Sequence, residues 1–107
     1  MTTKLDFDTL ADKTRIWRRK RGIDNPDKQT LKMIEEASEI VREVVRSRYD
    51  SDELKDGVGD LLITVIVLCD ILHINPLECF DLAYKVIENR DGKIIDGTFV
   101  KQDDLES

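Results

Sequence analysis

The chain has 107 residues, with 17 Lys and Arg against 23 Asp and Glu, for a formal net charge of −6. That balance argues against duplex DNA as a partner, although a small anionic ligand remains accessible if divalent metal ions screen it. At 37% charged and 40% hydrophobic the composition is that of a folded domain and excludes a disordered chain. The length suits one domain, 1–107 with its core at about 8–101, and a core this shallow gains stability from oligomerisation.

Scarce Gly and Pro favour long helices over a turn-rich β fold. The first helix is predicted from about Asp8 to Arg21, stopping at Gly22, a natural residue for the turn after a helix. The second follows Asn25-Pro26, a cap followed by proline in the first helical position, and runs to about Arg48. The third starts after Asp50 or Ser51, with Asp52 and Glu53 in its first turn, and runs to about His73. The fourth opens with Asn75-Pro76-Leu77-Glu78 and ends near Asn89. After Gly92, Asp96-Gly97 stands between two short apolar runs and predicts a β-hairpin, with Ile94, Phe99 or Val100 packed on helices. The polar residues from Gln102 to Ser107 are expected to fray. The fold class is therefore all-α: a protomer like a four-helix bundle, with a short C-terminal β-hairpin, in an oligomer.

No signal peptide is expected from Met-Thr-Thr-Lys-Leu-Asp, and the longest apolar stretch, Leu61 to Leu72, is shorter than the roughly 20 residues of a membrane span. Cys69 and Cys79 are expected to be buried, reduced thiols of a cytoplasmic protein. The third helix carries Leu54, Val58, Leu61, Val65, Leu68 and Leu72 on one face. Asp56 and Asp60 head the other face, which continues as Ile63, Val67 and Ile71. A helix apolar on both faces predicts a central position and a subunit interface.

Two acidic clusters could carry chemistry. In the second helix Glu35, Glu36 and Glu39 share one broad sector, roughly opposite an apolar stripe of Leu31, Ile34, Ala37, Val41, Val44 and Val45. Like charges at this spacing repel, and a hard divalent cation would offset that. The plain alternative is an ordinary solvated face. Asp56 and Asp60 lead into a buried stripe, where a desolvated carboxylate needs a metal, a basic partner or the helix N-terminus.

In order and spacing, Glu35-Glu36-Ala37-Ser38-Glu39 followed by Asp56-Gly57-Val58-Gly59-Asp60-Leu61-Leu62 resembles the MazG-like nucleotide pyrophosphohydrolases. These form an all-α superfamily with a Glu-Glu-x-x-Glu helix and a Glu-x-x-Asp helix. Ile16-Trp17, Gln29-Thr30-Leu31-Lys32, Tyr84-Lys85, Asn89-Arg90, Gly92-Lys93 and Gly97-Thr98-Phe99-Val100 extend the likeness to the family's short, often phage-encoded members, over about residues 10–101. One position departs from the pattern: Gly57 stands where the family has Glu. Asp56 could substitute, and Glu53-Leu-Lys-Asp56 offers a second register.

The resemblance implies Mg²⁺-dependent hydrolysis of a nucleoside triphosphate to monophosphate and pyrophosphate, with Mn²⁺ as a possible substitute. It implies metal ligands and catalytic groups at Glu35, Glu36, Glu39 and Asp60, with Asp56 a weaker ligand. One glutamate would act as general base. Substrate contacts are expected from Lys32, Lys85, Asn89, Arg90, Lys93 and Trp17, and assembly as a homodimer or homotetramer in a bacterial or infected-host cytoplasm. Cation–dipole contact at a helix end is the alternative for the basic residues of the fourth helix, and a core or interface anchor for Trp17. A charged helix end is the alternative to nucleic-acid binding by Trp17-Arg18-Arg19-Lys20-Arg21. The Gly57 departure keeps open a non-catalytic helical interaction module.

Overall fold

The computed structural model describes residues 5–106. The expectations for the N-terminal Met-Thr-Thr-Lys and for Ser107 lie outside these residues. The elements are α1 (Phe7–Arg21), α2 (Pro26–Val45), α3 (Asp52–Ile71), α4 (Pro76–Glu88), β1 (Gly92–Ile95), β2 (Thr98–Lys101) and α5 (Gln102–Glu106). The chain divides into two compact units, with the boundary in the sequence between Pro76 and Leu77.

In the first unit, α1 and α2 each pack on α3. The N-caps of α2 and α3 follow the sequence signals, and Asp6 caps α1. The Asp6 carboxylate accepts from the Asp8 and Thr9 amides, Asn25 from Lys28, and Ser51 from Leu54, each occupying an amide that the first turn leaves free. The C-termini share one device. Gly22, Ser47 and His73 adopt left-handed φ of 66°, 57° and 58°. The next amides, of Ile23, Arg48 and Ile74, then bond back to the carbonyls of Arg18, Glu43 and Cys69. These are Schellman closures, and they end α2 and α3 a little before the predicted Arg48 and His73.

The packing of α2 reverses the expectation. Its buried residues are Gln29, Glu36 and Glu43, one every seven residues, with Met33, Ala37 and Ile40 half-buried. The stripe predicted to form the core is outside: Leu31, Ile34, Val41, Val44 and Val45 are 65%, 66%, 58%, 43% and 76% exposed. The two helices meet closely. A β-carbon on Gly57 would lie 3.2 Å from Ile40 Cγ1, so position 57 is filled by the approach of α2, which leaves little room for a glutamate.

The third helix is buried at Gly57, Thr64, Ile66, Val67 and Cys69. Val58, Leu62, Ile63 and Leu72 stay substantially exposed, so within one chain its burial is partial and not all round. Cys69 is buried and Cys79 exposed, both as free thiols, which corrects the expectation for Cys79.

In the second unit, β1 and β2 pair antiparallel, with Ile95 opposite Thr98. The two-residue turn has φ of 50° at Asp96 and 77° at Gly97, the geometry Asp-Gly favours. The expected frayed tail is instead α5, which packs on both strands. Asp103 and Asp104 occupy its positive first turn, and the Gln102 amide donates to the Asp91 carbonyl at 2.8 Å. The described residues thus form five helices, and the packed core of the first unit is three-helical. Among the described residues, no single helix is long and apolar enough to cross a membrane.

Candidate active site

Because α1 and α2 both rest on α3, a cleft of about 860 Å³ opens between them. Leu10, Thr14 and Trp17 of α1 form one wall, Gln29, Lys32 and Glu36 of α2 the other, and Asp60, Ile63 and Val67 of α3 the base, with the 22–25 loop at one end. Lys13 and Lys28 also line it. The cleft therefore has an acidic end, a set of ammonium groups and an apolar stretch beside an aromatic ring.

The acidic end is assembled by the polar seam between α2 and α3. The Glu36 side chain is 9% exposed, against 60% for Glu35, and Glu39 is also exposed. The three glutamates thus divide: Glu36 faces the seam, while Glu35 and Glu39 stand on its flanks. Burial pushes the Glu36 carboxyl above its ordinary range, and the nearby Glu39 pushes it further. Asp60, half-buried, is also raised, first by burial and then by Asp56 and Glu36. Lys32 opposes both shifts. Its ammonium lies 3.6 Å from Glu35 Oε2 and 3.6 Å from Glu36 Oε1. Glu36 Oε2 is fully enclosed and has no hydrogen-bond partner. Asp56 is exposed, as is Glu53 of the second possible register, and burial along α3 begins at Gly57.

The donor set of this end is all oxygen, the chemistry a hard divalent cation takes. Glu36 offers an enclosed carboxylate oxygen with no hydrogen-bond partner, so the residues fit such an ion. Among the described residues, no three acidic, His or Cys side chains are gathered as a ready-made metal site. Glu39 stands within side-chain reach of Glu36, and Asp56 within reach of Asp60.

Ten residues further along α3, Asp70 is held quite differently. Arg18 Nε and Arg19 Nη2 each donate to it at 2.7 Å, and its side chain is 10% exposed. The Arg19 hydrogen bond, followed by that of Arg18, holds this carboxyl below its ordinary range against the effect of burial. Arg18 also donates to the Ile23 carbonyl at 2.9 Å, fixing the loop that closes the cleft. Two residues of the basic run at 17–21 therefore clamp α1 to α3, and Arg21 lies 4.7 Å from the Trp17 ring centroid.

Sequence reasoning did not assign roles to Gln29, Lys13 or Lys28. Gln29 is buried and its side-chain amide donates to the Thr64 carbonyl at 3.2 Å. Lys28, Lys32 and Glu36 recur every four residues, a spacing that puts all three on one wall. Lys85, Asn89, Arg90 and Lys93 belong to the second unit. There Lys85 pairs with Asp81 at 2.9 Å, and the Asn89 amide donates to the Lys85 carbonyl at 3.4 Å.

Carboxylates across a helix pair, beside a cleft lined by lysines and one tryptophan, define a mostly helical protein suited to a cation-bridged anionic ligand. The family model of the MazG nucleotide pyrophosphohydrolase domain matches residues 25–95, and the chain belongs to that family. No match was found among curated proteins or among solved structures.

Proposed function

We propose that this protein hydrolyses a nucleoside triphosphate to the monophosphate and pyrophosphate in a Mg²⁺-dependent reaction, for which Mn²⁺ can substitute. The observation that carries this reading is the enclosed, unpartnered oxygen of Glu36, beside Asp60 and at the edge of a lysine-lined cleft. Glu36, Glu39 and Asp60 would hold the metal, with Asp56 a weaker ligand and Glu35 at the rim. The bound metal supplies Lewis-acid polarisation of phosphate oxygens.

The other roles fall to the chain's own groups. Lys32, Lys13 and Lys28 meet phosphate oxygens, and Trp17 offers a ring face to the base. Water attacks the α phosphorus, and the bridging oxygen leaves with pyrophosphate. Glu35, at the rim and not committed to the metal, is free to accept the water's proton.

The same reading includes a homodimer or homotetramer. Burying a valine, leucine or isoleucine contributes about 1.5–3 kcal/mol, and the outer stripe of α2 offers Leu31, Ile34, Val41, Val44 and Val45 together. A partner subunit laid on this stripe would complete a bundle of four or more helices. The reading sets the enzyme in the cytoplasm, where nucleotides are kept.

One observation favours a second reading, a non-catalytic helical module: Gly57 stands in place of the family's second-helix glutamate and is packed against Ile40. A single experiment separates the two. Pyrophosphate release is measured from canonical and modified nucleoside triphosphates, with and without Mg²⁺, on a sample sedimented at low micromolar concentration. The expected result is Mg²⁺-dependent release from an oligomer. No release from any triphosphate supports the module, and a hydrolysing 12.4 kDa monomer overturns the assembly.

A further inference from the structure

Lys32 takes part in two sites at once. Its ammonium lies 3.6 Å from both Glu35 and Glu36, and the same side chain lines the cleft. Lys13 and Lys28 line that cleft as well, but neither is ion-paired among the described residues. One ammonium at this distance is a partial counter-charge, since Glu36 Oε2 still lacks a partner. The Lys32 side chain is 51% exposed, and its flexible stem leaves it free to swing. A divalent ion on Glu36 would repel an ammonium this close and compete for the same oxygens.

We propose that Lys32 is a resident counter-ion of the acidic seam, displaced when the metal loads and then transferred to the triphosphate. The proposal rests on the metal-site reading above. In the metal-free protein Lys32 limits repulsion among Glu35, Glu36 and Asp60. Once displaced it stands on the cleft wall, where phosphate charge replaces the carboxylates as its partner. Metal and nucleotide are thereby coupled through one side chain, since loading the first readies the binding of the second.

The test is calorimetric and needs no turnover. Mg²⁺ is titrated alone, and inorganic tripolyphosphate, which carries no base, is titrated with Mg²⁺ present. The proteins are wild type, Lys32→Met, Lys32→Arg, Lys13→Met and Lys28→Met, each checked for helicity. Lys32→Met is expected to bind Mg²⁺ about five-fold tighter or more, because a competing charge at contact distance is gone. It should bind tripolyphosphate several-fold more weakly. Lys13→Met and Lys28→Met make the same change in net charge farther from the carboxylates. They should tighten Mg²⁺ by less than about two-fold, and Lys32→Arg should stay near wild type. If Lys32→Met tightens Mg²⁺ no more than the other two methionine variants, or leaves tripolyphosphate affinity unchanged, the transfer is overturned while the metal site stands. If wild type takes up no Mg²⁺, the metal reading fails, and the proposal with it.

Discussion

Asp60 and Asp70 lie on the same helix, about 15 Å apart by helical rise, and illustrate two fates of a buried carboxylate. Asp70 receives two arginines, three hydrogen bonds and a lowered pKa. Asp60 receives burial, further carboxylates and a raised one. The first arrangement is complete within the chain and serves to join α1 to α3. The second is incomplete, and Glu36 across the seam shares the deficit through an oxygen with no partner. The contrast lies in satisfaction and not in residue type: a paired acid stabilises, whereas an unpaired one waits for a ligand.

The sharpest way to break this contrast is to neutralise each cluster in turn. Glu36→Gln is expected to abolish hydrolysis, a loss of at least about 100-fold, while raising the thermal stability of the metal-free protein. Asp60→Asn should follow it, and Asp56→Asn, on the exposed side, should lose less rate. Asp70→Asn should do the reverse: stability falls by about 2 kcal/mol because the part-buried Arg18 is left without its carboxylate. Urea denaturation beside a turnover assay reads both. A Glu36→Gln protein as destabilised as Asp70→Asn would erase the distinction.

A titration sharpens the same contrast. The folded-state pKa values of Glu36 and Asp60 are raised, so their charged forms cost stability above those values, and the cost disappears as pH falls towards the ordinary carboxyl range. Asp70 is lowered, so its contribution is full above the ordinary aspartate value of about 3.9 and is lost as pH falls through the folded value. Metal-free melting temperature should therefore rise as the solution is acidified from neutrality, then drop at lower pH. Glu36→Gln should flatten the rise and Asp70→Asn the drop, and saturating Mg²⁺ should remove the rise.

The smallest expected effect separates backbone from charge at the Asp70 end. His73 holds a left-handed φ of 58°, so His73→Gly should stabilise by about 1 kcal/mol without altering Mg²⁺ affinity. A loss of stability would mean that the imidazole makes a contact worth more than the strain.

Local signals were legible wherever one residue acts on its own backbone. Asn25, Ser51 and Gly22 each mark a helix end, and Asp96-Gly97 marks the hairpin, because capping and turn chemistry depend on near neighbours. The acidic pairing of α2 with α3 was legible through order and spacing. The orientation of α2 was not. Periodicity assigns the apolar stripe of Leu31, Ile34 and Val41 to the core, a rule that presumes the core lies within one chain. Here the polar seam faces inward, with Gln29 bonded to the Thr64 carbonyl, Glu43 to Ser51, and Glu36 beside Asp60. Nor could Asp70 be told from Asp60, since its partners Arg18 and Arg19 stand some fifty residues away in a run that reads as a solvated helix end.

The seven-residue interval of Gln29, Glu36 and Glu43 has a consequence for how the hairpin of α2 and α3 holds its alignment. Gln29 donates to the Thr64 carbonyl, and Glu43 accepts from Ser51 at 2.8 Å. If α2 slid by one turn, both bonds would break and Glu36 would leave Asp60, whereas an all-leucine seam would tolerate the shift at little cost. Polar residues at such positions act as a lock on register. They specify one alignment and add little cohesion, so the hairpin is exact in its pairing yet weakly held by it. In the proposed oligomer a partner subunit on the outer face of α2 would supply that grip, and diluting the protein should then loosen the whole hairpin before it unseats any one residue of the seam.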